Sequence, residues 1–267
     1  MSGPSLDLTA VTTLLSDADG TLFGSEEPAF DASVVVANRC LERLGVSKRY
    51  SADELRQAAN GLSFRASIVR LAQMHGADVV AEPFRSDVER WVVEENEAVM
   101  RHLSAVLQPD PEVSGPLRRL ARRFGLAVVS SSARSRIDVS LASTGLADLF
   151  PADRRFSAQD SLPVPTSKPD PAVYRWAVHR LSPAPGTAIA VEDAVPGVQS
   201  AVAAGLVTVG MLGYVPAAER AQRIAELEDA GVSVLVDSWS ELEQLLDHSQ
   251  PSPVGSGVTN PTPRRAS

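Results

Sequence analysis

Short runs of apolar residues alternate along the chain with segments whose apolar residues recur at helical spacing. The runs are typical of strands buried on both faces of a sheet, and they predict strands at 11–16, 126–130, 188–191, 207–211 and 232–236. Helices are predicted after Asp170 and Pro171, which suit a helix start, and at 196–204, where Gly205 ends the pattern. Alternating strands and helices predict an α/β fold with a Rossmann-like parallel sheet, covered by helices on both faces.

A region from 25 to 104 breaks this alternation. Its apolar residues recur at helical spacing, as Phe30, Val34, Ala37 and Leu41 do, and no convincing strand pattern intervenes. Helices inserted after the first strand of a parallel sheet predict a separate all-helical lid. The predicted core is therefore 10–24 together with 105–248. The ends, 1–9 and 249–267, are polar and without apolar periodicity, and we expect them to be disordered.

Composition and charge narrow the choice of partners. The 267 residues include 25 basic and 33 acidic ones, and the net charge of -8 would repel a nucleic acid. No segment is long and apolar enough to predict a membrane partner, and no signal-peptide pattern opens the chain, so we expect a cytoplasmic protein. The single cysteine, Cys40, excludes a disulfide within the chain. The oligomeric state is not predicted, and a monomer is compatible with the sequence.

Two carboxylates follow the first predicted strand. Asp17 and Asp19, with Gly20 after them, leave the sheet at the carboxyl end of that strand, where open α/β sheets bind their ligands. Asp and Gly are also common in plain polar turns, and paired carboxylates can bind a divalent metal ion. A polar turn, a metal site and a catalytic site therefore all fit this segment taken alone.

Four segments together resemble the haloacid dehalogenase-like hydrolases, whose motifs occur in a fixed order. In this chain they are Asp17-Ala18-Asp19-Gly20-Thr21, Val128-Val129-Ser130, Lys168-Pro169-Asp170-Pro171 and Ile189-Ala190-Val191-Glu192-Asp193, the last followed by Gly197. Each segment is moderately specific, but four in order make a strong resemblance over roughly residues 11–245. The family's helical cap lies between its first two motifs, as the predicted lid at 25–104 does.

The resemblance implies a phosphatase that hydrolyses the phosphate monoester of a small phosphorylated metabolite, with Mg²⁺ as its cofactor. Asp17 is the implied nucleophile, which forms an aspartyl-phosphate, and Asp19 is the implied general acid and base. Lys168 and Ser130 are implied to bind the phosphate, and Lys168 also offsets the charge of the carboxylates. These roles supply what phosphoryl transfer needs, which is positioning and charge neutralisation.

The resemblance also implies a metal site built from oxygen ligands. The expected ligands are the carboxylates of Asp17, Glu192 and Asp193 and the backbone carbonyl of Asp19. We therefore expect the side chains of these residues to converge in one small volume. Ala194 stands where relatives often have Ser, which predicts a tuned metal site rather than a lost one.

Substrate specificity depends on the lid, where one candidate residue stands out. Residues 60–65 break two helical patterns at a place where relatives have a specificity loop. Arg65 could bind a carboxylate or a second phosphate of the substrate there, although a solvated arginine on a helix surface fits the same pattern. The natural substrate is not predicted.

Three other functions fit parts of the chain. A haloacid dehalogenase usually replaces the second Asp of the first motif, so Asp19 argues against it. A β-phosphoglucomutase-like enzyme has a His and an Arg where this chain has Ala29 and Phe64, which favours hydrolysis over phosphate transfer. A non-catalytic phospho-ligand-binding protein on the same scaffold could lose the nucleophile, yet every motif is present.

Overall fold

A parallel sheet forms the centre of the protein, whose structure, a computed structural model, describes residues 8–59, 63–79 and 84–249. Its strands are β1 (Thr13–Ser16), β2 (Gly125–Ser130), β3 (Arg155–Ser157), β4 (Ala188–Glu192), β5 (Val207–Met211) and β6 (Val234–Val236). The six strands lie in the order β3-β2-β1-β4-β5-β6, and every neighbouring pair is parallel. Antiparallel pairing is absent from this sheet, as the alternating pattern predicts.

Ten helices accompany the sheet in the described part of the chain. They are α1 (Glu26–Arg43), α2 (Ala52–Ala59), α3 (Phe64–Met74), α4 (Phe84–Val106), α5 (Pro111–Leu120), α6 (Arg134–Ser143), α7 (Ala172–Leu181), α8 (Val195–Ala203), α9 (Arg220–Asp229) and α10 (Trp239–Ser249), with a 3₁₀ turn at Ala152–Arg154. None of these helices is long and apolar enough to cross a membrane.

Adjacent side chains of β1 anchor the two faces of the sheet. Leu14 belongs to an apolar cluster that includes Leu117 of α5 and Leu242 of α10. Leu15 belongs to another cluster, which includes Val173 of α7. Because side chains alternate along a strand, helices cover the sheet on both faces.

The helices α1 to α4, here called the inserted helices, have an apolar cluster of their own. It includes Leu41 of α1, Leu55 of α2, Leu71 of α3 and Trp91 of α4. Helix α4 also packs against α6, which links the inserted helices to the core. The predicted α/β fold with an all-helical insertion is confirmed, whereas the domain boundaries stay a prediction. Residues 1–7 and 250–267, which we expect to be disordered, lie outside the described residues.

Several predicted element bounds were wrong at their ends. Strand β1 begins at Thr13 because the residues before it form a turn, in which the N–H of Val11 donates to the carbonyl of Leu8 (3.2 Å). Strand β6 begins at Val234 because the N–H of Val232 bonds to the carbonyl of Leu227 at the end of α9 (3.1 Å). Strand β3 was not predicted, since its three residues are too few to show a period.

Parallel pairing brings the carboxyl ends of three strands to one edge of the sheet. Ser16, the last residue of β1, lies opposite Val128 of β2 and Val191 of β4. The chain segments that follow β1, β2 and β4 therefore meet there, which is where open α/β sheets form their ligand sites.

Candidate active site

Asp17 lies one residue beyond β1, and a buried lysine holds its carboxylate. The N–H of Asp17 donates to the carbonyl of Val191 (2.9 Å), which extends the pairing of β1 with β4. Lys168 Nζ lies 2.5 Å from Asp17 Oδ1. Nζ also donates to the carbonyl of Val129 (2.7 Å) and to Glu192 Oε1 (2.6 Å), so its three N–H donors are all used. Lys168 is thus a fixed part of the site rather than a solvated surface residue.

The loop before α7 carries Lys168 to this position. The N–H of Lys168 donates to Ser131 Oγ (3.0 Å), and the Lys168–Pro169 peptide bond is cis. The carboxylate of Asp170 accepts a hydrogen bond from the N–H of Ala172 (2.8 Å) at the start of α7. Asp170 thus bonds to the first N–H of the helix, but Pro171 occupies the cap position, so the predicted helix start was one residue too early.

Glu192 ends β4 and is enclosed on two sides. Its Oε1 accepts hydrogen bonds from Lys168 Nζ and from the hydroxyl of Tyr174 on α7. Gly197 of α8 packs directly against the same carboxylate, where an added Cβ would overlap it. The side chain is 1% exposed, so these contacts decide its position. The glycine of the fourth motif is required for this close approach.

Asp193 follows Glu192 and faces the loop after β1. Thr21 donates its hydroxyl proton to Asp193 Oδ1 (2.8 Å). Gly20 has a φ of +83°, and a Cβ added there would overlap the Asp193 carboxylate. Arg223 of α9 donates to the backbone carbonyl of Asp193 (2.8 Å). The first and fourth motifs therefore fit together without space for a side chain at Gly20.

Three buried carboxylates lie together, and the one ammonium of Lys168 does not balance their charge. Oxygen atoms of Asp17, Glu192 and Asp193 all lie within 4.8 Å of one another, and we call these residues the acidic group. Burial raises the pKa of Asp17 and raises that of Glu192 to about 7, and Lys168 only partly opposes both shifts. Burial and then the Asp17 and Glu192 carboxylates hold the pKa of Asp193 well above its ordinary value. Such an oxygen donor set fits a hard cation, so these residues could hold a metal ion.

The ammonium of Lys168 responds to the same charges. Burial by itself would lower its pKa, but the Asp17 and Glu192 carboxylates outweigh burial and raise it. Lys168 is therefore charged, and it is the partner of two carboxylates at once. A second cation would balance the group further.

The carboxylate of Asp19 stands apart from the acidic group. Ser132 donates to its Oδ2 (2.7 Å), and Ser25 and Arg136 donate to its Oδ1, the Arg136 Nη2 from 3.0 Å. Burial alone would raise the pKa of Asp19, but the charge of Arg136 and these hydrogen bonds outweigh it and hold the pKa below its ordinary value. Three donors thus bind the Asp19 carboxylate, which lies outside the acidic group, although its charge still helps to raise the pKa of Asp17. Ligation through the backbone carbonyl of Asp19 stays a prediction.

Ser130 ends β2 at the same edge of the sheet and is 1% exposed. Its hydroxyl oxygen accepts a hydrogen bond from the N–H of Ser132 (3.0 Å). The two following serines do not cap α6, whose cap position is Ala133. The Ser131 hydroxyl accepts from the N–H of Lys168, and the Ser132 hydroxyl donates to Asp19. Phosphate binding by Ser130 stays a prediction.

Arg65 lies in the inserted helices, at the start of α3. Both of its terminal nitrogens bond to the Glu89 carboxylate of α4, and its side chain is half exposed. A substrate anion would have to compete with Glu89 for this guanidinium. Its role in specificity stays a prediction, and residues 60–62 of the predicted specificity loop lie outside the described residues.

A cavity of about 610 Å³ reaches the acidic group from the side of Asp193. Gly20 and Asp193 line it together with Arg56 of α2 and Glu219. Arg56 Nη2 lies 3.0 Å from Glu219 Oε1, so an ion pair joins an inserted helix to the core at this cavity. The cavity has room for a small ligand, and Asp193 is the member of the acidic group that lines it.

Several residues of the site were missed by sequence reasoning. Tyr174, Ser25, Ser132 and Arg136 lie outside the four sequence motifs. Their contacts with Glu192 and Asp19 join residues far apart in the chain, so no local pattern could reveal them. Thr21 was inside the first motif, and a polar residue next to paired carboxylates was a usable signal.

Comparisons with known proteins show which family and which solved structures this chain resembles. A family model described as haloacid dehalogenase-like hydrolase matches residues 14–211. Protein CbbY of Cereibacter sphaeroides is 28% identical over 247 residues, covering 91% of this chain and 99% of CbbY. A HAD family hydrolase from Deinococcus radiodurans R1, solved with bound phosphate and sodium, is 25% identical with a TM-score of 0.62, covering 90% of this chain and 97% of that one.

Two further solved structures share the fold at lower identity. CbbY from Rhodobacter sphaeroides, solved as a mutant in complex with xylulose-(1,5)bisphosphate, is 24% identical with a TM-score of 0.65, covering 87% of this chain and 96% of that one. β-Phosphoglucomutase from Clostridium difficile is 17% identical with a TM-score of 0.66, covering 90% of this chain and 96% of that one. The fold is thus shared by hydrolases and a phosphomutase, and the choice between these reactions depends on the site.

Proposed function

Because the chain belongs to the haloacid dehalogenase-like hydrolases, we propose that it is a Mg²⁺-dependent phosphatase acting on the phosphate monoester of a small metabolite. The observation that carries this proposal is the buried Asp17 carboxylate, which Lys168 holds at the sheet edge beside the acidic group. Phosphate ligands in relatives support it, since CbbY was solved with xylulose-(1,5)bisphosphate and the Deinococcus hydrolase with phosphate.

Asp17 is the nucleophile in this proposal. Lys168 holds the Oδ1 atom of Asp17 in one orientation. The carboxylate therefore loses less conformational entropy when it reaches the phosphorus atom. A carboxylate oxygen of Asp17 forms a bond to phosphorus while the ester bond to the leaving oxygen breaks. The product of this step is an aspartyl-phosphate and the free alcohol.

Charge neutralisation allows an anion to attack an anion. In this proposal the charge of Lys168, which lies beside Asp17, attracts a phosphate oxygen, and the Ser130 hydroxyl at the end of β2 binds another. Asp17 and Asp193, with Glu192 close behind them, would hold Mg²⁺, and the carbonyl of Asp19 would complete the set. When bound, Mg²⁺ supplies positive charge to the phosphate and offsets the carboxylates.

Asp19 moves the protons in both steps. It gives a proton to the leaving oxygen as the ester bond breaks, and it takes a proton from the water that then attacks the aspartyl-phosphate. Water adds to phosphorus, Asp17 leaves as a free carboxylate, and inorganic phosphate is released. The approach of a phosphate dianion raises the pKa of a neighbouring carboxyl group, which favours the protonated form that Asp19 needs in the first step.

The predicted outcome is hydrolysis rather than transfer of phosphate within a sugar. Ala29 of α1 packs in the apolar cluster of the core and offers no hydrogen-bonding side chain. Phe64 cannot bind a second phosphate as an arginine would. Incubation with β-glucose 1-phosphate and catalytic glucose 1,6-bisphosphate tests this choice. We expect inorganic phosphate as the product, and rapid formation of glucose 6-phosphate without phosphate release would contradict hydrolysis.

Trapping the covalent intermediate tests the phosphatase itself. The protein, supplied with Mg²⁺ and a phosphate-labelled aryl phosphate, should release inorganic phosphate and carry acid-stable label when quenched. Hydroxylamine should remove this label, because it cleaves acyl phosphates. Asp19→Asn should accumulate the label, since water is no longer activated, whereas Asp17→Asn should carry none. Turnover without any labelled protein would contradict the aspartyl-phosphate.

A further inference from the structure

Arg136 of α6 reaches the site from outside the four motifs. Its Nη2 lies 3.0 Å from Asp19 Oδ1, and the two side chains are 24% and 21% exposed. An ion pair with this little exposure is screened less by solvent than a surface pair is. The contact therefore joins Arg136 to the proposed general acid and base.

Donors from three separate segments surround the Asp19 carboxylate. Ser25, just before α1, and Arg136 donate to Oδ1, and Ser132, after β2, donates to Oδ2. With both oxygens tied, the plane of the carboxylate is fixed as well as its position. Ser25 and Ser132 are small hydroxyls on loops, whereas Arg136 extends from a helix and supplies the charge.

A structural role does not account for the placement of Arg136. Arg134 lies two residues earlier on α6. It bonds to Asp138 and to the backbone carbonyls of Arg155 and Ala152, which are internal contacts of the core. Arg136 instead donates to Asp19, and its buried Nε has no hydrogen-bond partner within the described residues. A buried donor without a partner lowers stability. The orientation of Arg136 thus serves the contact with Asp19 rather than the best internal bonding.

We propose that Arg136 is a positioning residue, which aims the Asp19 carboxylate at the leaving oxygen of the phosphate ester. The inference rests on the proposed function, since it needs Asp19 as the general acid. Helix α4 packs against α6, so this contact lies where the inserted helices meet the core, close to where a leaving group would lie. Arg136 acts only through Asp19 and is given no contact with the phosphate.

Dependence on the leaving group distinguishes positioning from support of the fold. Phenyl phosphate and nitrophenyl phosphate have similar shapes, but nitrophenolate leaves without a proton and phenolate leaves poorly without one. Arg136→Ala should lower kcat/KM for phenyl phosphate by about tenfold or more, within the usual contribution of a general acid. The value for nitrophenyl phosphate should change by less than about threefold.

Four further variants make the result decisive. Asp19→Asn should show the same dependence on the leaving group, and Arg136→Ala in that background should add little further loss, because both changes remove one function. Arg136→Lys keeps the charge and should restore part of the activity on phenyl phosphate. Arg134→Ala is the matched control from the same helix, and any loss that it causes should be equal for both substrates.

Each outcome bears on one proposal. Equal losses on both substrates for Arg136→Ala, or losses that add to those of Asp19→Asn, would overturn the role of Arg136 while leaving Asp19 as the acid. Equal losses for Asp19→Asn itself would overturn Asp19 as the acid and the role of Arg136 with it. If Arg136→Ala does not fold, as judged by its melting curve, Arg136→Lys is measured in its place, and the same two substrates decide.

Discussion

Asp17 and Asp19 lie on either side of Ala18, yet their carboxylates occupy opposite electrostatic surroundings. Asp17 belongs to the acidic group, in which Lys168 is the cationic partner of two carboxylates, and burial raises the pKa of Asp17. Asp19 meets a guanidinium and two hydroxyls, which hold its pKa down despite burial. Burial is thus common to both residues, and the supply of donors decides which way each carboxyl group shifts.

The acidic group and the surroundings of Asp19 differ in how well protein groups balance their negative charge. The acidic group has more negative charge than Lys168 can balance, which suits a site for a divalent cation. The Asp19 side is already satisfied by protein donors and needs no cation. In the proposed mechanism, the carboxylate that attacks phosphorus is therefore separated from the carboxylate that moves protons, although both belong to one motif. The predictions below test this separation.

The largest expected effect comes from the nucleophile. Asp17→Asn should reduce turnover by about three orders of magnitude or more, because an amide does not form the covalent intermediate. Asp19→Asn is the matched comparison and should keep a rapid burst of nitrophenol from nitrophenyl phosphate, followed by a slow phase. A burst in Asp17→Asn, or full turnover by it, would contradict the separation of roles. Stopped-flow absorbance measures both variants, and circular dichroism checks that each is folded.

The rise in Tm that Mg²⁺ causes should differ between a variant of the acidic group and a variant of Asp19. Mg²⁺ in excess should raise the Tm by about 5 °C through preferential binding to the folded protein, and chelator should stop turnover. Asp193→Asn should raise the Tm of the metal-free protein, because it removes a repelled charge, and should reduce the rise caused by Mg²⁺. Asp19→Asn should lower the metal-free Tm but leave that rise intact. An equal loss of the rise in both variants would show that the sides are not separate.

The sequence predicts one side of the site far better than the other. The residues of the acidic group stand in motifs that end the strands β1 and β4, and parallel pairing brings such ends together whatever the intervening helices do. Lys168 stands in a motif of its own before α7. The partners of Asp19 come from the loop before α1, the loop after β2 and the first turn of α6. Their meeting depends on tertiary packing, which no local period records.

The same contrast holds for the fold as a whole. A buried strand such as β4 can be predicted from its run of apolar residues, whereas β3 is an edge strand with Phe156 as its only large apolar residue. The inserted helices could be predicted as helices from their spacing, but not the contacts between them. The pairing of Arg65 with Glu89 shows this, because a charged residue on a helix face can turn to substrate or to a neighbouring helix.

The close packing of the acidic group can be tested through a glycine. Gly197→Ala should lower stability by about 1–3 kcal/mol, because its Cβ would push the buried Glu192 carboxylate away from Lys168 and Tyr174. The change would otherwise favour a helix, since alanine is the better helix former. Gly115→Ala in α5 is the matched control, as its added Cβ meets only the end of Arg119 at 3.6 Å, and it should be neutral or stabilising. Urea unfolding compares the two, and equal effects would mean that Glu192 is free to move.

The smallest expected effect concerns Glu95 of α4, a buried carboxyl group of the inserted helices. Burial raises its pKa, and the Ser33 hydroxyl bond and the charge of Arg136 only partly oppose this. A group whose folded pKa lies above its unfolded value weakens folding as pH rises through that range, because the folded protein resists ionisation. Glu95→Gln should therefore stabilise the protein at neutral pH, by on the order of 1 kcal/mol as for one buried polar group, since Gln can still accept from Ser33. The gain should vanish on acidification towards the ordinary range of glutamate, where both side chains are neutral. Glu97→Gln, exposed on the same helix, controls for the loss of one negative charge. A gain that persists at low pH, or equal gains in both variants, would show that burial of the ionised Glu95 carboxylate is not what lowers stability. A loss of stability at neutral pH would show that donors satisfy Glu95 as they satisfy Asp19.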